Sequence, residues 1–338
     1  MKRHGFLFED IVRFENLVLA AKKAMRGKKH KQAAGSRFYF DLENEILALQ
    51  EELLSGTYRP GNYRVFEIRE PKPRKICASR FRDRVVHHAI CNLLEPHFER
   101  RHVFASYACR TGKGSHAALR KTREFARRYR YFLKADIQKY FESIDHDILK
   151  VLLRRLFKDR RLLALLDQVV DHAVPGNPTG KGVPIGNLTS QHFANLYLGE
   201  LDHFLKERLQ IKGYVRYMDD FILFDDNKEK LGGCLEMIRR FLKENLALQL
   251  KEKVTRIAPV TEGVPFLGFR VYPNLIRLQR SNWVRTRTNY RRWQKAFQGG
   301  QISENELAAR LRSSLAHISH ANTQNLRRKE FAKAFTLA

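Results

Sequence analysis

The chain has 338 residues, of which 43% are hydrophobic, so it can bury sizeable cores and is expected to form two or three packed subdomains. Its 64 Lys and Arg against 36 Asp and Glu give a formal net charge of +28, which favours nucleic acid as the partner. A basic membrane-surface protein is disfavoured because the positive residues run along the whole chain rather than beside one apolar segment. No apolar stretch approaches the length of a membrane helix and no signal peptide is evident, so the sequence predicts a cytoplasmic protein. The four cysteines form no CxxC pair and are expected to be reduced thiols.

The N-terminal part of the chain is predicted to be helical and then to form a basic hairpin. Apolar residues recur at helical spacing from Phe6 to Met25, and a second helix is predicted from about Arg37 to Ser55, where Gly56 ends it. Residues 63–76 are predicted to be a strand pair around a Pro-Lys-Pro-Arg turn, because proline interrupts a helix. Further helices are predicted at 80–94 and 113–130.

The second half of the chain is predicted to alternate strands with helices. A strand from Tyr131 to Asp136 ends at an aspartate, and a hairpin places Asp219 and Asp220 at its bend. Beyond Trp283 the chain is predicted to be helical and very basic, with aromatic residues between the arginines. The other predicted elements are helices at 145–157, 161–173, 187–209 and 229–245, hairpin arms at 214–218 and 221–224, and strands at 264–271 and 275–279.

Three aspartates are the leading candidates for chemistry. The order of the predicted elements allows Asp136 to converge with Asp219 and Asp220. An Asp-Asp pair in a turn is weak evidence alone, since aspartate favours turns. Two adjacent acids in a hairpin with apolar flanks are nevertheless costly unless cations neutralise them. Such a cluster is what two-metal nucleotidyl transfer requires, and magnesium prefers oxygen ligands.

The residues around these aspartates resemble reverse transcriptases. Tyr217-Met218-Asp219-Asp220 resembles the YxDD motif of that family, and Leu133-Lys134-Ala135-Asp136 followed by Tyr140-Phe141 resembles the segment of its first catalytic aspartate. The resemblance implies an RNA-directed DNA polymerase with an α+β right-hand fold, in which fingers and a helical thumb flank a palm with an antiparallel sheet. The implied division is an N-terminal helical extension at 1–56, fingers at 57–130, palm at 131–280 with finger segments around 145–185, and thumb at 281–338.

The resemblance also implies which residues bind metal. Asp136, Asp219 and Asp220 are expected to be catalytic, and these three carboxylates with the backbone carbonyl of Ile137 are expected to hold the metal. The implied cofactor is Mg²⁺, two ions per active site, and Mn²⁺ is expected to substitute for it.

Other residues match positions that handle the nucleotide in this family. Phe141 matches the steric gate that would clash with a ribose 2′-OH, although a phenylalanine in the core is the alternative. Lys72 and Arg74 on the basic hairpin are expected to grip the triphosphate. Lys253 is expected to protonate the leaving pyrophosphate, with Lys251 as its rival.

Contacts with template and primer are also implied. The stretch 106–116, a glycine-rich turn that enters a helix, is expected to contact the template. The Phe-Leu-Gly-Phe turn at 266–269 resembles the primer grip, and the last helices fit a thumb that tracks the duplex through its phosphates. The residues expected to bind nucleic acid are Arg110, Lys113, Gln191, Tyr217, Gly268, Arg285 and Arg291.

One block departs from most of the family. Residues 185–191 are Ile-Gly-Asn-Leu-Thr-Ser-Gln, with Ile185 in place of the usual glutamine and Gln191 in place of the usual proline. This variant resembles the reverse transcriptases of diversity-generating retroelements, which copy a template repeat RNA and misincorporate opposite its adenines. In such an enzyme Ile185 and Gly186 would lie against the nascent base pair.

The resemblance to retroelement enzymes implies a set of partners. These are a template repeat RNA, primer or cDNA, dNTPs, and a basic helical accessory protein that forms an oligomer. The alternatives are a group II intron-like or phage-defence reverse transcriptase and, in another class, a non-catalytic RNA-binding scaffold. Retention of the three aspartates with Phe141 and Arg74 argues against the scaffold.

Overall fold

The polypeptide is organised into two compact units, each assembled from three separate stretches of chain. A computed structural model describes residues 3–26, 33–69 and 73–335. The first unit comprises Met1–Cys109, Ile137–Arg208 and Met237–Leu250, and the second comprises Arg110–Asp136, Leu209–Glu236 and Lys251–Ala338. Within the described residues, no helix combines the length and the apolar character needed to cross a membrane.

Helices and antiparallel strands both contribute to the fold. In the described part of the chain the helices are α1 (Phe8–Val12), α2 (Phe14–Ala24), α3 (Ala33–Phe40), α4 (Leu42–Ser55), α5 (Phe81–Arg101), α6 (Ser115–Arg128), α7 (Tyr140–Ser143), α8 (His146–Leu156), α9 (Arg160–Asp171), α10 (Leu188–His203), α11 (Lys228–Leu246), α12 (Arg280–Gln298), α13 (Glu304–Ile318) and α14 (Gln324–Phe335). The strands are β1 (Arg64–Arg69), β2 (Pro73–Ala78), β3 (Tyr131–Asp136), β4 (Gly213–Tyr217), β5 (Asp220–Asp225), β6 (Arg256–Pro259), β7 (Val264–Phe266), β8 (Phe269–Val271) and β9 (Ile276–Leu278).

Helix α5 is the centre of the first unit. Helices α1, α2, α3 and α10 pack against it, and its buried residues include Val85, Ile90 and Phe98. Apolar residues occur on several sides of α5 rather than along one stripe, which is the pattern of a buried helix. The helix predicted over 80–94 is therefore longer than the sequence indicated, because tertiary packing carries it past Pro96 to Arg101.

The N-terminal helices are interrupted where the sequence predicted continuous ones. The helix predicted from Phe6 to Met25 is divided into α1 and α2 by Arg13, whose ψ of 138° is extended. The second predicted helix is also divided, into α3 and α4, by Asp41 with φ −115° and ψ 43°. Helix α4 ends at Gly56 as expected, with the glycine in the left-handed conformation at φ 75°. The polar, basic residues of 27–35 also predict a loop; residues 27–32 lie outside the described residues, and residues 33–35 begin α3 instead.

The second unit is built on a four-stranded antiparallel sheet with strand order β4-β5-β3-β6. The middle residues of β3 and β5 are buried, as expected for central strands. Helix α6 packs on β4, and Phe125 of this helix contacts Phe224 with ring centroids 5.6 Å apart. The antiparallel sheet expected of the predicted palm is thus present, whereas the edge strand β6 was not predicted.

Three predicted elements need correction. Asp220 does not lie in the bend of its hairpin but is the first residue of β5, paired with Tyr217. The strand predicted at 264–271 is two strands joined by a turn, because Leu267 and Gly268 both have positive φ. The helix predicted to reach residue 209 ends at His203 and continues as a short π-helical turn.

The chain beyond residue 280 is helical, as predicted. Helices α12 and α13 pack together, and the Ser314 hydroxyl donates to the Tyr290 hydroxyl at 3.0 Å. Ser303 and Glu306 form a capping box that begins α13. These contacts fix the arrangement of the basic helices.

Buried histidine makes the first unit sensitive to acid. Burial lowers the pKa of His87 on α5 to about 3, so the folded protein keeps it neutral while the unfolded chain binds a proton below about pH 6.5. The stability that depends on neutral His87 is present above pH 6.5 and is lost as the pH falls towards 3. At pH 5 this residue is expected to reduce the free energy of unfolding by about 2 kcal/mol relative to pH 8.

Urea denaturation at pH 8 and pH 5 measures this loss. In His87→Gln the difference between the two pH values is expected to be smaller than in the wild type by that amount. An unchanged difference would show that His87 is not the titrating group.

Candidate active site

The three aspartates meet at one end of the four-stranded sheet. Asp136 ends β3 and is the direct cross-strand partner of Asp220, which begins β5. Directly opposed residues of an antiparallel pair place their side chains on the same face with Cβ atoms about 5 Å apart. Asp219 precedes Asp220 in the loop that joins β4 to β5. The register of the sheet therefore collects the acids, as the sequence predicted.

The loop that carries Asp219 is tight and strained. It has two residues between paired strands, and Met218 has a φ of 59°, a conformation for which glycine is usual. A non-glycine residue there costs about 1–2 kcal/mol. Arg216, which is fully buried, donates from Nη1 to the Met218 carbonyl at 3.0 Å. Arg216 thus supports the loop from inside the unit, a role that the sequence analysis missed.

A buried lysine joins the acid cluster. Lys134 lies two residues before Asp136, on the same face of β3, and its ammonium forms an ion pair with Asp220. Burial lowers the pKa of Lys134 to about 8, whereas the carboxylates of Asp136 and Asp219 act in the opposite direction. All three acids therefore act on one ammonium, which neutralises part of their mutual repulsion. A charged residue inside the apolar strand Tyr-Phe-Leu-Lys-Ala-Asp was the signal that could have identified Lys134.

The donor chemistry of the cluster fits divalent magnesium. Carboxylate oxygens are its preferred ligands, and Asp136, Asp219 and Asp220 supply them. Among the residues that the structure describes, no three His, Cys, Asp or Glu side chains are already gathered into a metal ligand set, and Asp220 is engaged by Lys134. The ligand assignment, with Ile137 as the carbonyl donor, stays a prediction.

The two lysines proposed for proton transfer occupy different positions. The backbone N–H of Lys251 donates to the carbonyl of Asp136 at 2.8 Å, and the Lys251 charge contributes to lowering the pKa of Lys134. Lys253 is exposed on the following 3₁₀ turn. The structure thus brings the backbone and charge of Lys251, the alternative candidate, to the acid cluster.

In the first unit, backbone hydrogen bonds connect the segments that carry the residues predicted to contact the nucleotide. The N–H of Val183 donates to the Phe141 carbonyl at 2.8 Å, and the N–H of Cys77, in β2, donates to the Ile185 carbonyl at 3.1 Å. The side chains of Phe141 and Ile185 are half-buried. The segment that contains Ile185 therefore links the predicted steric gate to the basic hairpin.

The cations of the basic hairpin differ in their contacts. Arg74 is exposed on β2, opposite Ile68 of β1. Lys75 donates to the Pro175 carbonyl at 2.5 Å. Lys72 lies outside the described residues.

The residues predicted to bind nucleic acid occupy the starts and ends of elements. Arg110 and Lys113 lie in the loop that enters α6, where Gly112 and Gly114 have positive φ. Gln191 is in the first turn of α10. Tyr217 is the last residue of β4.

The predicted primer-grip turn is tied to the helix that follows it. Asn282 of α12 donates to the Gly268 carbonyl at 2.9 Å and accepts from Arg285 at 3.2 Å. Gly268 has a φ of 84°, and a side chain at this position would meet Asn282. The turn thus requires glycine because a helix approaches it closely. Arg291 is exposed further along α12.

Comparison with known families agrees with this geometry. The profile described as reverse transcriptase (RNA-dependent DNA polymerase) matches residues 68–271, which include the aspartates, the predicted gate and Ile185. The chain belongs to this family. It is an RNA-directed DNA polymerase by class, and its chemistry is nucleotidyl transfer.

Two individual proteins are similar to this chain at low sequence identity. Protein YkfC of Escherichia coli is 29% identical over 270 residues, covering 67% of this chain and 71% of that protein. The group II intron-encoded protein LtrA of Lactococcus lactis is 24% identical over 312 residues, covering 72% of this chain and 51% of that protein. This reverse transcriptase thus matches about half the length of LtrA.

A solved structure supports the fold. Apo telomerase from Candida tropicalis is similar with a TM-score of 0.50 and 11% identity, over 69% of this chain and 52% of that chain. At this identity the likeness concerns the fold alone, and it agrees with the right-hand polymerase architecture.

Proposed function

We propose that this reverse transcriptase belongs to a diversity-generating retroelement and makes cDNA with errors opposite template adenines. The observation that carries the proposal is Ile185, where most of the family has glutamine. An isoleucine side chain packs but offers no hydrogen bond, whereas an amide both donates and accepts. Loss of that polar contact would loosen geometric selection at the nascent base pair.

The proposed chemistry is two-metal nucleotidyl transfer. Asp136, Asp219 and Asp220, with the Ile137 carbonyl, would hold two Mg²⁺ ions, which supply positive charge to the reacting phosphate and the leaving pyrophosphate. Mn²⁺ is expected to substitute.

The remaining roles belong to side chains of the chain itself. Arg74 would orient the triphosphate through charge-assisted hydrogen bonds. Phe141 would exclude a ribose 2′-OH, and Lys253 or Lys251 would give a proton to the pyrophosphate.

The proposed partners follow from charge and from the family resemblance. A net charge of +28 suits a chain that binds a template repeat RNA and its cDNA through their phosphates. Arg110, Lys113, Arg285 and Arg291 would make such contacts. A basic helical accessory protein that forms an oligomer completes the proposed assembly.

A second candidate function is group II intron-type reverse transcription, which the similarity to LtrA favours. The two candidates differ in accuracy at template adenines, and that difference is measurable. Primer extension on an RNA template containing all four bases, with dNTPs and Mg²⁺ and with sequencing of the cDNA, separates them. Errors concentrated at adenines support the retroelement, accurate cDNA supports the group II type, and absence of cDNA supports a non-catalytic RNA-binding chain.

Ile185→Gln is expected to lower misincorporation opposite adenine by about tenfold, because a restored hydrogen bond is worth about 1 kcal/mol or somewhat more. Errors opposite the other three bases are expected to change little. The measurement is cDNA sequencing with the parent and Ile185→Leu, which stays apolar, as controls. An Ile185→Gln enzyme that misreads adenine as often as the parent would contradict the role of residue 185.

A further inference from the structure

Four buried polar side chains of the first unit form a hydrogen-bond network that joins the segment following Gly186 to α5 and to the residue after β2. The Thr189 hydroxyl lies 3.0 Å from Nδ1 of His87, and the Ser79 hydroxyl lies 3.3 Å from Nε2 of the same ring. Ser79 in turn donates to Oδ1 of Asn187 at 2.8 Å. None of the four residues is more than 7% exposed. The network begins and ends on the segment that follows Gly186.

The hydrogen bonds of this network have one consistent direction. Ser79 has a single hydroxyl proton, which it donates to Asn187, so it accepts a proton from Nε2 of His87. Nδ1 of His87 then carries no proton and accepts from the Thr189 hydroxyl. Only the neutral imidazole satisfies this order, and burial, which lowers the pKa of His87, keeps it neutral. The network therefore specifies one arrangement of its members.

This arrangement fixes the backbone next to the proposed base-pair contact. The Ile185 carbonyl accepts from the Cys77 N–H at 3.1 Å, and Gly186, with a φ of 127°, lies against Ile76. Ser79 is one residue beyond β2. The segment from Ile185 to Thr189 is thus fastened to the end of the hairpin and to α5 at successive points.

We propose that Ser79, His87 and Thr189 are positioning residues that hold the Ile185–Gly186 segment and thereby set how strictly the polymerase selects the incoming nucleotide. The proposal rests on the proposed function in one respect, that this segment lies against the nascent base pair. A buried polar network adds little net stability compared with apolar packing, but a satisfied one defines a single geometry. Holding one backbone position is therefore its physical consequence.

The first experiment measures position without catalysis. Thr189→Val is nearly isosteric and removes the hydroxyl, whereas Thr189→Ser keeps it. Hydrogen exchange of peptides covering 73–79 and 182–191 is expected to be about tenfold faster in Thr189→Val and restored in Thr189→Ser. The matched control is Asn16→Leu, which removes part-buried hydrogen bonds to the Ile11 and Ala89 carbonyls and from the Asn92 amide, and so weakens a different set of contacts to α5.

The second experiment measures selection. Single-nucleotide insertion gives kcat/KM for the correct and for each wrong dNTP opposite each template base. In Thr189→Val the ratio of kcat/KM for the correct dNTP to kcat/KM for a wrong dNTP is expected to shift by about tenfold. Small displacements at a reacting centre have effects of this size or larger. Asn16→Leu is expected to lower the melting temperature and leave the ratio unchanged.

The outcomes separate this proposal from the function on which it rests. Faster exchange at 182–191 with a shifted ratio supports positioning, even if the wild type is accurate at adenines and the retroelement proposal fails. Unchanged exchange in Thr189→Val, or an unchanged ratio despite faster exchange, overturns it. If neither the wild type nor Thr189→Val polymerises, the hydrogen-exchange result alone decides whether these residues hold the segment.

Discussion

Replacement of Asp219 by asparagine is expected to lower the rate of nucleotide incorporation by about a thousandfold or more. The amide is nearly isosteric with the carboxylate but carries no charge, so it cannot neutralise the cations that two-metal transfer requires. Folding should be preserved because Asp219 lies in a loop between β4 and β5. Removal of one negative charge should not weaken binding of primer and template, whose phosphates the acids repel.

Single-turnover primer extension, with the dissociation constant of the primer–template duplex measured in parallel, tests this expectation. The matched control is Asp226→Asn, an exposed acid just beyond the opposite end of β5, which accepts a hydrogen bond from the Arg130 N–H. Near-normal incorporation by Asp219→Asn would remove this residue from the catalytic set. Equal losses in both variants would indicate a general effect of charge rather than a catalytic site.

Local sequence patterns predicted the structure correctly where a feature depends on a single helix or strand. Strand β3 was predicted with its observed bounds because a short apolar run ends in a charged residue. The acids converge because β3 and β5 pair in the register that opposes Asp136 and Asp220. The helical part beyond residue 280 also follows from local pattern, since arginines and aromatic residues recur there without strand alternation.

The parts that the sequence did not predict depend on contacts between distant segments. Nothing local indicates that Arg216 reaches the carbonyl of Met218 or that Lys134 pairs with Asp220, because these contacts exist only after strands pair. The edge strand β6 has four residues, and its pairing with β3 is what defines it. The hydrogen-bond network that links His87 to residues 187–189 joins positions about a hundred residues apart in sequence, so no periodic pattern indicates it.

Replacement of Arg216 by methionine is expected to lower kcat by about a hundredfold, although Arg216 is not itself expected to touch substrate. Its guanidinium is fully buried and supports the Met218 carbonyl in a loop whose positive φ is otherwise unfavourable. Without that support Asp219 loses a fixed position, and a displacement of about 1 Å at a reacting centre has an effect of this size. The free energy of unfolding is also expected to fall by about 1–3 kcal/mol because buried acceptors lose a donor.

Three variants separate positioning from folding. Arg216→Lys keeps the charge but lacks the planar fork of donors, so it is expected to restore stability more fully than kcat. Arg277→Met, an exposed arginine of β9 in the second unit, is expected to change neither. Assays at a temperature where all variants are folded by circular dichroism measure kcat and KM separately. If Arg216→Met is folded and retains wild-type kcat, the loop is positioned without the buried arginine, and the rigidity of the Tyr-Met-Asp-Asp turn must come from the strand pairing alone.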